Sequence, residues 1–149
     1  MLLKVKEVGK KVKTTAIGSF LFGIGIIGML DGIVFHQILQ WHSVNMHTDR
    51  VHQIMSDGVF HLFVTLVIFV SGIMLWKGNP QDKPSTFWGS FLIGAGTFNL
   101  LEGIVNHHIL QIHHVKPGAY QFLFDISYDV LALLLLITGW LLRHRTTSV

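Results

Sequence analysis

Polar and charged positions divide the chain into four long apolar stretches. The first runs from Thr15 to about Trp41 and is interrupted by Asp31 and His36. The second runs from about Ile54 to Trp76, with Asp57 and His61 near its start. The third covers roughly Phe87 to Ile112 and carries Glu102 and His107, and the fourth covers roughly Tyr120 to Leu142, with Asp125 and Asp129 early. Each is about 20 residues or longer, the length a helix needs to cross the hydrocarbon core. Glycines crowd the first and third (Gly18, Gly23, Gly25, Gly28, Gly32; Gly89, Gly94, Gly96, Gly103). They would weaken a soluble helix, but in a membrane small residues let helices approach closely. The pattern predicts an all-α integral membrane four-helix bundle.

Composition agrees. Only 13% of the 149 residues are charged, against about 25% in soluble chains, and mean hydropathy is +0.54. The length suits a single membrane domain over 1–149. Absence of cysteine excludes disulfides, thiolate metal sites and cysteine nucleophiles, and leaves the redox compartment open. The pI near 9.4 resolves once the cations are located. Lys4, Lys6, Lys10, Lys11 and Lys13 precede the first stretch, Lys77 and Lys83 lie between the second and third, and Arg143 and Arg145 follow the fourth; Arg50 and Lys116 fall on the other side. The positive-inside rule then puts both termini, including the basic segment 1–13, in the cytoplasm. The partner implied is a lipid bilayer, not nucleic acid; a homo-oligomer is left open. The basic start followed by an apolar run resembles a signal peptide, but the run is too long and is expected to be retained.

The chain repeats internally. When Asp31 is laid on Glu102, Ser19-Phe20-Leu21 falls on Ser90-Phe91-Leu92, and Gly23 and Gly25 fall on Gly94 and Gly96. Leu30-Asp31-Gly32-Ile33-Val34 then matches Leu101-Glu102-Gly103-Ile104-Val105, and His36, Gln40, His42 and Val44 match His107, Gln111, His113 and Val115. A slightly shorter shift brings Asp57 onto Asp125 and His61 onto Asp129. The expected repeats are about 15–77 and about 87–143. With two spans each, both enter from the same side, so a parallel pseudo-twofold axis should lie along the membrane normal.

The run Asp31-Gly32-Ile33-Val34-Phe35-His36-Gln37-Ile38-Leu39-Gln40-Trp41-His42 resembles the signature of the domain-of-unknown-function family twenty-two forty-three, small bacterial membrane proteins. The resemblance spans essentially the whole chain. It departs at Ser43, where a second histidine is expected; the second copy has the pair, His113-His114. The resemblance implies a four-span fold in a bacterial cytoplasmic membrane, and no chemistry.

All of the ten histidines except His144 then map to the extracytoplasmic half or its loops, as do Asp31, Asp57, Glu102, Asp125 and Asp129. An ionised carboxylate facing lipid is costly, so these groups should face the interior and be paired. On an α-helix, at about 100° per residue, Asp31 and His42 project within roughly 20°, while His36 lies about 140° from Asp31. Asp57 and His61 are stacked four apart, as are Asp125 and Asp129. Carboxylates and imidazoles converging from four helices are how bundles build metal sites. Asp31, His36, His42, His61, Glu102, His107, His113 and Asp129 are the candidate ligands, with room for two ions. Asp57 and Asp125 are candidate general bases, although Asp57-His61 also suits a carboxylate that orients a ligand. Without thiolate the donor set suits zinc or iron first and copper third. His108 and His114 should point away from their neighbours and read as supporting the ligands or facing solvent, His47 and His52 as loop residues, Gln40 and Gln111 as hydrogen bonds between helices, and Trp41, Trp76, Trp88 and Trp140 as interfacial anchors. Pro80 and Pro84 mark a short inner loop.

The leading expectation is a membrane metalloprotein that hydrolyses or oxidises a small or lipid-like substrate. The alternatives are a b-type haem protein with His36 and His107 as axial ligands, a proton or metal-ion transporter, a metallochaperone or assembly factor for a membrane enzyme, and a purely structural polar network. Transport suffers from the lack of a polar path past Gly28 and Gly25.

Overall fold

The computed structural model describes residues 2–79, 81 and 83–144. Pro80 and Arg145 lie outside the described residues. The described chain is all-helical: α1 (Leu2–Asp31), a π-helical segment π1 (Gly32–Ile38), α2 (Arg50–Gly78), α3 (Pro84–Glu102), a second π-helical segment π2 (Gly103–Ile109), and α4 (Gln121–His144). α1 and α3 form the central pair, α2 packs on α1, and α4 packs on α3.

Among the described residues, three segments are long and apolar enough to cross a membrane: Val5–Ile38, Arg50–Gly78 and Gln121–His144. The fourth expected span centres on α3, whose 19 residues include Ser90, Thr97, Asn99 and four glycines counting Gly103 beyond its end. Its central place explains that composition. A helix flanked on two sides by others needs small residues more than a lipid-facing surface.

The central crossing is set by glycine. A Cβ on Gly23 would lie 2.0 Å from the Phe91 carbonyl oxygen, and one on Gly94 would lie 2.0 Å from that of Phe20. Outside the bundle, large apolar side chains such as Val59, Phe63, Leu66, Leu133 and Ile137 are exposed. In water such a surface would be a liability, and in a bilayer it is the solvent-facing side. Inside, Val64, Ala95 and Ala132 form an apolar layer that separates buried Ser19, Ser71 and Ser90 from the polar cluster at the opposite end.

Each π segment changes the register of its helix. Leu39 N–H bonds to Val34 O at 2.8 Å and Leu110 N–H to Val105 O at 2.7 Å, each five residues back. That spacing is the i→i+5 pattern of the π-helix, which occurs mostly as short segments, often at functional sites. Gln40 (φ 49°) and Gln111 (φ 51°) follow in the left-handed region, and the chain turns there so that Trp41 N–H reaches Phe35 O and Ile112 N–H reaches Asn106 O. Both glutamine side chains are exposed. Their recurrence therefore marks the turn that ends each π segment, in place of the interhelical bonds expected from the sequence.

Candidate metal centre

The π segments correct the helical-wheel estimate for His36. In a π-helix a side chain five residues on returns to nearly the same face, so His36 sits over Asp31 and His107 over Glu102. The Asp31 Oδ2 to His36 Nε2 distance is 3.3 Å. After the turn, the loops at 39–49 and 110–120 fold back across the end of the bundle and carry His42 and His113 into it.

Two groups of three result. Asp31, His36 and His42 form one, and Glu102, His107 and His113 the other; within each, one ligand atom per residue lies within 4.8 Å of the other two. All four imidazoles are buried, at 2–3% exposure. They touch across the bundle. His42 and His113 stack with centroids 4.7 Å apart and planes 4° from parallel, His36 meets His42 edge-on at 4.7 Å, and His107 meets His113 at 5.0 Å.

Two of the second ring nitrogens are hydrogen-bonded, while those of His36 and His107 face aspartates without a hydrogen bond. His42 Nδ1 donates to Val115 O at 2.8 Å, and His113 Nδ1 donates to Val44 O at 2.9 Å, so each loop holds the other loop's histidine. His36 Nδ1 lies 3.0 Å from Asp57 Oδ1, and His107 Nδ1 lies 3.6 Å from Asp125 Oδ1. The same aspartates anchor the loops, because Val44 N–H donates to Asp57 Oδ1 (2.8 Å) and Val115 N–H to Asp125 Oδ1 (3.0 Å). None of the four Nε2 atoms has a hydrogen-bond partner. Burial, reinforced by His113, lowers the His42 pKa from its usual 6.5 to about 3, so His42 is neutral near pH 7 and its Nε2 carries a lone pair.

Other expected residues fall around these groups. His61 Nδ1 bonds to the Asp57 backbone oxygen (2.8 Å), and its ring lies where a Cβ on Gly32 would be, which leaves it outside both triplets. Asp129 is also outside: its Oδ2 accepts from His108 Nε2 at 2.7 Å, and Oδ1 sits against Gly103. His114 Nδ1 donates to Asp125 Oδ2 at 2.8 Å. His47 Nε2 donates to Gln111 O (2.8 Å). Asp49 caps α2 through Val51 N–H and His52 N–H, and its hydrogen bond from His52 lowers its carboxyl pKa. Trp41 stacks on Phe35, with Lys116 Nζ 4.7 Å above its ring, and closes one side of the loop cover.

Two residues were not anticipated. Tyr128 O–H donates to Glu102 Oε2 at 2.7 Å and lies 3.1 Å from Asn99 Oδ1. Both are buried, and both break the repeat, since Phe60 and Gly28 occupy the corresponding places.

The family described as a predicted membrane protein (DUF2243) matches residues 18–146. The chain belongs to that family. Its description establishes a membrane protein and assigns no chemistry, so the family rests beside the geometry without explaining it. The chain matches no curated protein and no solved structure.

Proposed function

We propose that this protein is a membrane metalloprotein whose bundle end holds two transition-metal ions, one on Asp31, His36 and His42 and one on Glu102, His107 and His113. The observation that carries the reading is the set of four buried imidazoles whose Nε2 atoms all lack a hydrogen bond, with Nδ1 of His42 and His113 bonded to backbone carbonyls and Nδ1 of His36 and His107 near the Asp57 and Asp125 carboxylates without a hydrogen bond. Histidine ligands to metals almost always hold their other ring nitrogen against a carboxylate or backbone carbonyl. Leaving a buried polar atom unpaired costs about 1–3 kcal/mol, so four such atoms beside two carboxylates call for a shared cation.

Distances agree. Ligand atoms about 2.0–2.1 Å from a tetrahedral ion lie about 3.3 Å apart; His36 Nε2 is 3.3 Å from Asp31 Oδ2, and His113 Nε2 is 3.4 Å from Glu102 Oε1. Nitrogen and oxygen donors without thiolate favour zinc or iron, with copper third. Three protein ligands per ion leave a position open for water or substrate, which suits hydrolysis or oxidation of a small or lipid-like molecule. Asp57 and Asp125 are positioning residues in this reading, because their carboxylates already hold a loop N–H and face an imidazole.

The placement follows the positive-inside rule. All four helices cross a bacterial cytoplasmic membrane, both termini are cytoplasmic, and the centre opens to the outer side. The reciprocal glycine contacts of α1 and α3, and the reciprocal His42 and His113 bonds, support a pseudo-twofold relation between the repeats. Ring-on-ring packing of the imidazoles gives a porphyrin plane no gap, and the apolar layer at Val64, Ala95 and Ala132 gives ions no path inward.

Elemental analysis of protein purified without chelator tests the proposal. Zinc or iron should be present, and His36→Ala with His107→Ala should remove it. Folded protein that contains no metal and takes up neither ion sinks the reading.

A further inference from the structure

A cavity of about 380 Å³ opens between α1, α2 and α3 and ends on His36, Glu102 and His113. Its walls are mostly apolar, formed by Ile24, Phe60, Phe98, Leu101 and Val105, with Thr97 and Asn106 among them. Leu101 and Val105 are 59% and 38% exposed on the flank of the bundle, where the surface is otherwise aliphatic and aromatic. The mouth therefore faces the hydrocarbon layer, and the closed end holds bare His36 and His113 Nε2 atoms on side chains at 2–3% exposure.

We infer that this cavity binds a single-chain amphiphile that enters sideways from the bilayer, with its apolar body along Phe98 and Leu101 and one oxygen-bearing end group at His36 and His113. The inference deepens the metal-centre reading by naming a ligand class for it. Three features select that class. The volume is at the small end of ligand pockets, about 300–1,000 Å³, which suits one chain and not a two-chain lipid. Nearly all of the wall is apolar, and the ionisable groups, His36, Glu102 and His113, lie together. A water-soluble polar substrate would have to cross that wall.

A second cavity, about 280 Å³, lies on the other flank and reaches Asp31 past Leu30, Val34, Phe35 and Tyr128. It touches neither His36 nor His113, and its Phe35 stands where the larger cavity has Asn106. It supplies an internal control.

The test uses the full chain in phosphatidylcholine nanodiscs and a ten-carbon fatty acid with a photoreactive diazirine at its far end. Adducts mapped by mass spectrometry should concentrate on Phe98, Leu101 and Val105, well above exposed Val59, Phe63 and Leu133. Thr97→Trp, which fills the cavity, should reduce them at least fivefold; Leu101→Trp at the exposed mouth serves if Thr97→Trp does not fold. Leu131→Trp, on the control flank, should leave them unchanged. Adducts spread evenly over the lipid-facing surface, or concentrated but indifferent to both blocking variants, overturn the inference.

A second arm separates the two readings. With zinc bound, unlabelled decanoate should slow zinc removal by a chelator at least threefold, and acetate at the same concentration should not. Protein that takes up no zinc yet shows blockable, focused labelling keeps the cavity ligand and removes only the metal reading. Zinc-loaded protein whose zinc release ignores decanoate overturns the placement of the end group.

Discussion

The closest approach of α1 to α3 should make Gly94→Ala one of the most damaging single-methyl changes in the molecule. The added Cβ would sit 2.0 Å from the Phe20 carbonyl oxygen, where real Cβ atoms essentially never come under 3.0 Å. The helices must therefore part by at least 1.0 Å, and since the obstacle is backbone, no rotamer change relieves it. Overpacking of this kind costs about 3 kcal/mol at the upper end of the usual range. Alanine returns about 1 kcal/mol of helix propensity, leaving a net loss of about 2 kcal/mol, or about 30-fold in the unfolding equilibrium. Gly23→Ala, which meets Phe91 O at the same distance, should behave alike. Gly72→Ala is the control, since a Cβ there meets nothing within 4 Å, and it should be neutral or stabilising by up to about 1 kcal/mol. Unfolding by SDS in mixed micelles, followed through the four tryptophans, measures all three. Because α1 and α3 carry opposite halves of the site, zinc uptake should weaken in step. If Gly94→Ala unfolds at the same SDS fraction as Gly72→Ala, the close crossing is wrong.

Asp57→Asn keeps an acceptor for Val44 N–H but loses the charge facing His36 Nδ1, so zinc affinity should drop about 10- to 100-fold with little change in SDS resistance. Equal zinc affinity by competition titration would remove Asp57 from the site's support. Tyr128→Phe deletes the hydroxyl that donates to Glu102 and should destabilise the bundle by about 0.6 kcal/mol, the average for such bonds in membranes. An unchanged unfolding midpoint counts against that bond. In metal-free protein, His42 has a folded pKa of about 3 against about 6.5 unfolded. The unfolded chain therefore binds the extra proton between those values, and stability should fall as pH drops from 6.5 toward 3. His42→Gln should flatten that part of the curve; an identical pH profile in the variant refutes the buried neutral imidazole.

Much of this arrangement was legible in the sequence, because the chemistry recurs. Two copies of one motif set Asp31, His36 and His42 beside Glu102, His107 and His113, and the apolar stretches located the second, third and fourth helices to within a few residues, whereas the first helix starts at Leu2, well before the expected Thr15, and takes in the basic segment. The π segments were not legible from a wheel drawn at α-helical pitch, although the five-residue step from Asp31 to His36, repeated from Glu102 to His107, was the available signal. Tyr128 and Asn99 escaped because a search for repeated residues passes over those where the copies differ. His61 and Asp129 were expected as ligands from their spacing to Asp57 and Asp125. Spacing places a residue on a helix face, but the glycine opposite decides what it meets: Gly32 receives the His61 ring and Gly103 the Asp129 carboxylate. Nor could periodicity show that Asp57 and Asp125 reach across to loop amides, since that depends on how residues 39–49 and 110–120 fold back.

The metal stoichiometry of half-site variants tests the central claim most directly. Purified protein stripped with chelator and titrated with zinc should take up two ions per chain. His42→Ala with Asp31→Ala should take up one, as should His113→Ala with Glu102→Ala, and the four-residue combination none. Uptake of no zinc by folded wild-type protein, or of two ions by every variant, contradicts a paired centre built on these six residues.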